Sequence, residues 1–133
     1  MKGPWTMNVK QIIVMRKDLK VRRGKEISQG AHASMMFLSL MVQQRLLDGE
    51  RTQMSPAQKE WIMGRFTKVC VQVPDEASLL AVADEAKKAG LECHVVTDAG
   101  LTEFDGVPTN TCLAIGPDEA EKIDMVTGKL QLY

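Results

Sequence analysis

Net charge is the first thing this sequence lacks. Its 133 residues carry 17 basic and 17 acidic side chains. A zero total argues against a strongly basic nucleic-acid binder, whose footprint usually shows in the sum, but leaves room for a local basic patch. Cysteine is scarce. Cys70, Cys93 and Cys112 are odd in number, far apart and without a C-x-x-C pair. That excludes a disulfide framework and fits a reducing compartment. Each sits in a strand-like run, where a free thiol behaves as a small apolar residue. Cys93 and His94 are neighbours on a strand and so point to opposite faces, which disfavours a metal site there. No apolar run approaches the ~20 residues a membrane span needs, and "MKGPWTM" is too short and mixed for a signal peptide. The expected setting is therefore cytoplasmic. Neither a phosphate-cradling G-x-x-x-x-G-K-[ST] loop nor a G-x-S-x-G elbow occurs. Repeats, low-complexity tracts and interdomain linkers are also missing.

What is present is one domain's worth of alternating elements. Residues 1–8 read as a loose extension and 9–133 as the domain. "QIIVMR" (11–16) is a β-branched first strand, followed by a polar connection and a long helix from about Gly24 to Leu47. Gly49 suits its C-terminal cap. Ser55-Pro56 starts a shorter helix. Strands are expected at 67–73, 93–98 and 109–117. A helix opened by Pro74-Asp75 and ended by Gly90 separates the first two of these. A last helical turn or two and an extended tail close the chain. The order β-α-(α)-β-α-β-β-α predicts an α/β fold, a small mixed sheet flanked by helices. Parallel pairing is expected among the first three strands and an antiparallel pair at the end. The methionine-rich stretch 35–41 reads as core.

Polar residues gather at two loops. Lys25, Gln29 and His32 share one stripe at the start of the long helix. Lys25 is an awkward cation there, because a helix N-terminus prefers anions. The loop after the third strand supplies Asp98, Gly100, Thr102 and Glu103. Open α/β sheets place their sites beyond the carboxyl ends of strands, so both groups reach one rim if strands one and three run the same way. Singly, each has a plain explanation: Asp98-Ala99-Gly100 as a turn, His32 as a structural histidine, the cations as a solvated face. Lys17, Lys20, Arg22, Arg23 and Lys25 nonetheless put five cations in nine residues of a neutral chain. Together the groups describe a hydrolytic or binding site for a polyanionic substrate.

These residues carry a resemblance. "VMRKDLKVRRGKEISQGAHAS", "GRFTKVCVQV", "VTDAGLTEFDGVPTNTCLAIGP" and "IDMVTGKLQLY" occur in the order found in the class II, archaeal and eukaryotic type, peptidyl-tRNA hydrolases. The chain resembles that family from about Val9 to Tyr133. The combination of G-K-x-x-x-Q-x-x-H, D-A-G-x-T-E and a closing T-G-x-L-x-L is what makes the likeness specific. The resemblance implies a mixed four-stranded sheet, a homodimer, no cofactor or metal, and hydrolysis of the ester joining a peptide to the 3′ ribose of tRNA. It implies catalytic roles for Lys25, Asp98 and Thr102, with Gln29 and His32 lining the same site. Lys25 would stabilise the oxyanion or hold the terminal phosphate, Asp98 would accept a proton from water or orient it, Thr102 would hold the water by its hydroxyl, and His32 would act as base or orienter. Gln29 would bind the ester carbonyl or the peptide. Lys17, Lys20, Arg22 and Arg23, with Arg65 and Lys68, would meet tRNA phosphates. Gly30 and Leu101 depart from the family's usual residues. A non-catalytic tRNA- or protein-binding module of the same fold, or a hydrolase of a related aminoacyl ester, are the alternative readings.

Overall fold

The computed structural model describes residues 7–49, 53–101 and 103–133. Its elements are β1 (Val9–Arg16), α1 (Arg23–Asp48), α2 (Pro56–Met63), β2 (Lys68–Val73), α3 (Glu76–Lys88), β3 (Cys93–Asp98), β4 (Thr109–Glu119) and α4 (Ala120–Thr127). This is the α/β order expected from the sequence. The sheet runs β2-β1-β4-β3, with β1 parallel to β2 and antiparallel to β4, and β3 antiparallel to β4. β1 and β3 therefore point the same way, and their carboxyl ends share a rim with the first residues of β4.

Side chains that alternate along the strands feed two cores. Ile12, Val14, Val71, Val73, Leu113 and Ile115 meet Leu79, Val82, Ala83 and Ala86 of α3 and Ile123 of α4. On the other face Met15, Val96, Cys112 and Ala114 meet Ala33 of α1. Small residues at these contacts bring α1 close to the sheet. A polar staple fixes its depth: Gln11, fully buried, donates to the Ser34 carbonyl and accepts from the Ser34 hydroxyl. Trp61 of α2 packs edge-on against Phe37 of α1 (centroids 5.7 Å apart) and donates its indole N–H to the Thr67 carbonyl.

The ends of the chain are tied to this body. The Met7 N–H donates to Glu60 and the Asn8 carbonyl accepts from Ala120, so the last two residues read as an extension are held; residues 1–6 lie outside the described residues. The tail pairs antiparallel with the free edge of β2 through Val71 and Leu132. Such cover blunts an edge that would otherwise template association.

One expectation fails. The stretch 35–41 is not uniformly core: Phe37 is buried, but Met35 is 63% and Leu40 42% exposed. Along α1 the buried positions are Gln29, Gly30, Ala33, Ser34 and Phe37. A helix apolar on all sides reads as fully buried, yet the sheet and α2 cover only one side of this one. Ile27, Met35, Val42 and Leu46 face outward.

Candidate active site

The start of α1 is held in an unusual way. Its N-cap, Arg22, makes no side-chain capping hydrogen bond, and the first turn is rich in cations. Neither feature favours helix initiation. Contacts from distant parts of the chain hold it instead. Arg22 Nε donates to Glu103 at 3.0 Å, Lys25 Nζ to Asp98 Oδ1 at 2.9 Å, and the Tyr133 hydroxyl to Glu26. Two of these three tethers run to the β3–β4 connection.

Asp98, the last residue of β3, is the hub. Its Oδ1 accepts from Lys25 and from the Gln29 amide at 3.3 Å, and its Oδ2 accepts from the Gly100 N–H at 2.8 Å. Gly100 takes a positive φ of 81°, and a Cβ there would lie 2.6 Å from the Val107 carbonyl oxygen, so the turn that aims its N–H requires glycine. The Lys25 hydrogen bond, with help from the Gly100 N–H and Gln29, holds the Asp98 carboxyl below the ordinary carboxylate range. A depressed folded-state value stabilises the fold above the unfolded pKa, about 3.9 for Asp, and that stabilisation fades as pH falls through the folded value. Carboxyl-carbon NMR is expected to find the Asp98 midpoint below that of a model aspartate and to see it rise in Lys25→Met. An unmoved midpoint would deny the pairing.

Gln29 is buried with both ends of its amide engaged inside the protein. Its Nε2 faces Asp98 and its Oε1 accepts from the Thr111 hydroxyl at 2.6 Å. His32 lies on the same stripe but is exposed, and among the described residues it has no hydrogen-bond partner. Thr102 lies outside the described residues. Lys17, Lys20, Arg22 and Arg23 are all exposed around the entrance to α1. Arg22 is tied to Glu103, and Arg23 turns toward the opposite flank of the helix, where it lines an apolar groove. The structure thus unites Lys25, Gln29 and Asp98, leaves His32 exposed on the same stripe without a hydrogen bond to Asp98, and spreads the surface cations outside. Sequence reasoning missed Thr111, which reads as an ordinary β-branched strand residue.

None of the three thiols is a nucleophile here. Burial pushes Cys93 and Cys112 up to about 11 and raises Cys70, so all stay protonated near neutrality. No described helix is long and apolar enough to cross a membrane.

The geometry can be set beside known proteins. A family model described as "Peptidyl-tRNA hydrolase PTH2" matches residues 9–133. A "Peptidyl-tRNA hydrolase" of Methanopyrus kandleri is 43% identical over 92% of this chain and 97% of its own. One of Haloquadratum walsbyi is 39% identical over 94% of this chain and the whole of its own. The human "Peptidyl-tRNA hydrolase 2, mitochondrial" is 38% identical over 93% of this chain and 64% of its own length. With the match spanning both walls of the cleft, from Lys25 to Asp98, this chain belongs to the PTH2 family of peptidyl-tRNA hydrolases.

Proposed function

We propose that this chain, a peptidyl-tRNA hydrolase by family, cleaves the peptide–ribose ester in the cleft between α1 and the β3–β4 connection. The observation that carries the assignment is the Lys25–Asp98 pair at 2.9 Å, both side chains only 14% exposed. Water attacks the ester carbonyl and a tetrahedral oxyanion forms. The bond to the 3′ oxygen then breaks, leaving a peptide carboxylic acid, which ionises to solvent, and a free 3′ hydroxyl. An ammonium has three donors. Held against Asp98, the Lys25 cation is fixed in advance beside the developing oxyanion, where preorganised charge contributes most. Asp98, held by three donors that lower its affinity for a proton, is a weak proton acceptor; its part is to fix Lys25 and orient water. Thr102 is assigned the water's second contact by its place in D-A-G-x-T-E. His32, exposed on the same stripe, takes the water's proton and returns it to the ribose oxygen. Gln29 acts from behind Asp98. None of these steps calls for a metal or cofactor, and turnover is expected to survive a chelator. The cytoplasm, where translation supplies the substrate, is the proposed setting.

Lys17 and Lys20, exposed beside the cleft, supply phosphate contacts to tRNA. Replacing both by Ala is expected to raise KM and leave kcat unchanged. The slope of log affinity against log salt should then flatten by roughly 0.7–0.9 for each phosphate no longer neutralised. An unaltered slope would place the tRNA elsewhere.

We also infer a homodimer. The exposed α1 residues Ile27 and Met35 form one wall of an apolar groove of about 850 Å³, closed by β1, Trp61, Phe66 and Tyr133, and Val42 and Leu46 continue the exposed stripe along the helix. A two-fold axis lets the same apolar face of each copy pack on the other, the self-complementary arrangement closed symmetry requires. Sedimentation should show a dimer for the wild type and a folded monomer for Met35→Glu. A wild-type monomer at micromolar concentration would refute it.

A further inference from the structure

We propose that Thr111 is a positioning residue for the reaction, fixing the Gln29 amide so that its N–H side faces Asp98. The proposal rests on the hydrolytic reading above and assigns a role to a β4 residue buried behind the site.

The chain of hydrogen bonds is directional. Thr111 is 1% exposed. Its hydroxyl lies 2.6 Å from Gln29 Oε1, against 3.4 Å from the Val96 carbonyl and 3.7 Å from Cys112 Sγ. Because a carbonyl oxygen only accepts, Thr111 must donate in the short contact. The amide nitrogen is thereby turned to Asp98 Oδ1. The flipped amide would set its oxygen against the carboxylate, two acceptors face to face. β4 grips the same residue again through its backbone, where Cys112 Sγ donates to the Gln29 carbonyl at 3.4 Å.

Without the Thr111 hydroxyl, Oε1 is a buried acceptor with no donor. The amide then gains by rotating away, since an unsatisfied buried polar group is costly. Asp98 loses one of the two donors on Oδ1, and the carboxylate that fixes Lys25 is no longer held in one rotamer. The charged group facing Asp98 from α1 is Lys25. From the connecting loop comes the Gly100 N–H.

Thr111→Val keeps the shape and removes the hydroxyl. It is expected to lower kcat about tenfold with little change in KM, and to raise the Asp98 midpoint seen by carboxyl-carbon NMR. Thr111→Ser should restore both. In a Gln29→Leu background, Thr111→Val should add nothing further. A wild-type kcat and midpoint in Thr111→Val would overturn the proposal, as would an equal further loss in the Gln29→Leu background. Should Thr111→Val not fold, Thr111→Ala replaces it, with the same midpoint rise expected, and an unmoved midpoint there would overturn the proposal. The NMR readout needs no turnover, so absence of hydrolysis in the wild type would fail the hydrolytic reading while still judging this linkage.

Discussion

Lys25→Ala is expected to lower kcat/KM on a defined peptidyl-tRNA by about 10²–10³-fold while the protein stays folded. The lysine is asked to do two things. It supplies fixed positive charge where the oxyanion forms, and it holds Asp98, 73 residues away in sequence, at 2.9 Å. Removing it leaves Asp98 with the Gly100 N–H and the Gln29 amide, enough to keep the β3–β4 turn in place but not to stabilise the transition state. Lys25→Arg should recover little, because a planar fork does not reproduce a point charge at the same reach. Asp98→Asn should cost a similar factor, for the ammonium loses its anchor. The double variant should be scarcely worse than either single one, since the two act as a unit. His32→Ala should lose less, about 10²-fold, and regain part of it when imidazole is added. Equal turnover in Lys25→Ala and the wild type would remove the site from the chemistry altogether.

Trp61→Ala should have the largest effect on stability, about 3–5 kcal/mol. That is a large share of the 5–15 kcal/mol typical of a domain. Trp61 is 1% exposed and joins three elements. It meets Phe37 of α1, stacks at 4.2 Å on Phe66 before β2, and donates to the Thr67 carbonyl at 2.7 Å. Phe37 is the last buried residue of α1, so this contact holds the helix where its buried face ends. Urea titration should show the loss as a lowered midpoint at nearly constant slope. Trp61→Phe should cost less, since it keeps much of the ring contact and forfeits the indole hydrogen bond. A loss under 1 kcal/mol for Trp61→Ala would mean that α2 is not what holds α1 down.

Much of this was readable in the residues. Alternation and β-branching placed β3 at Cys93–Asp98, and Gly49 marks where α1 ends, because these are local signals. The pairing of Lys25 with Asp98 was accessible through one topological premise, that β1 and β3 run the same way, which the strand order β2-β1-β4-β3 satisfies. The order itself was not readable, since several arrangements bury the same faces. The outward side of α1 was misjudged for a related reason: periodicity shows that Met35 is apolar, not what lies opposite it. The link from Thr111 to Gln29 spans 82 residues and joins two types common in ordinary strands and helices, so no local pattern announces it.

The most direct test is a single-turnover assay on a peptidyl-tRNA of defined sequence, run on the wild type and on Asp98→Asn, with and without a chelator. The wild type is expected to release free peptide and intact tRNA in both conditions, and the variant to be slower by about 10²–10³-fold. Binding of the substrate by the wild type without release, or full activity in Asp98→Asn, would contradict hydrolysis at the Lys25–Asp98 cleft.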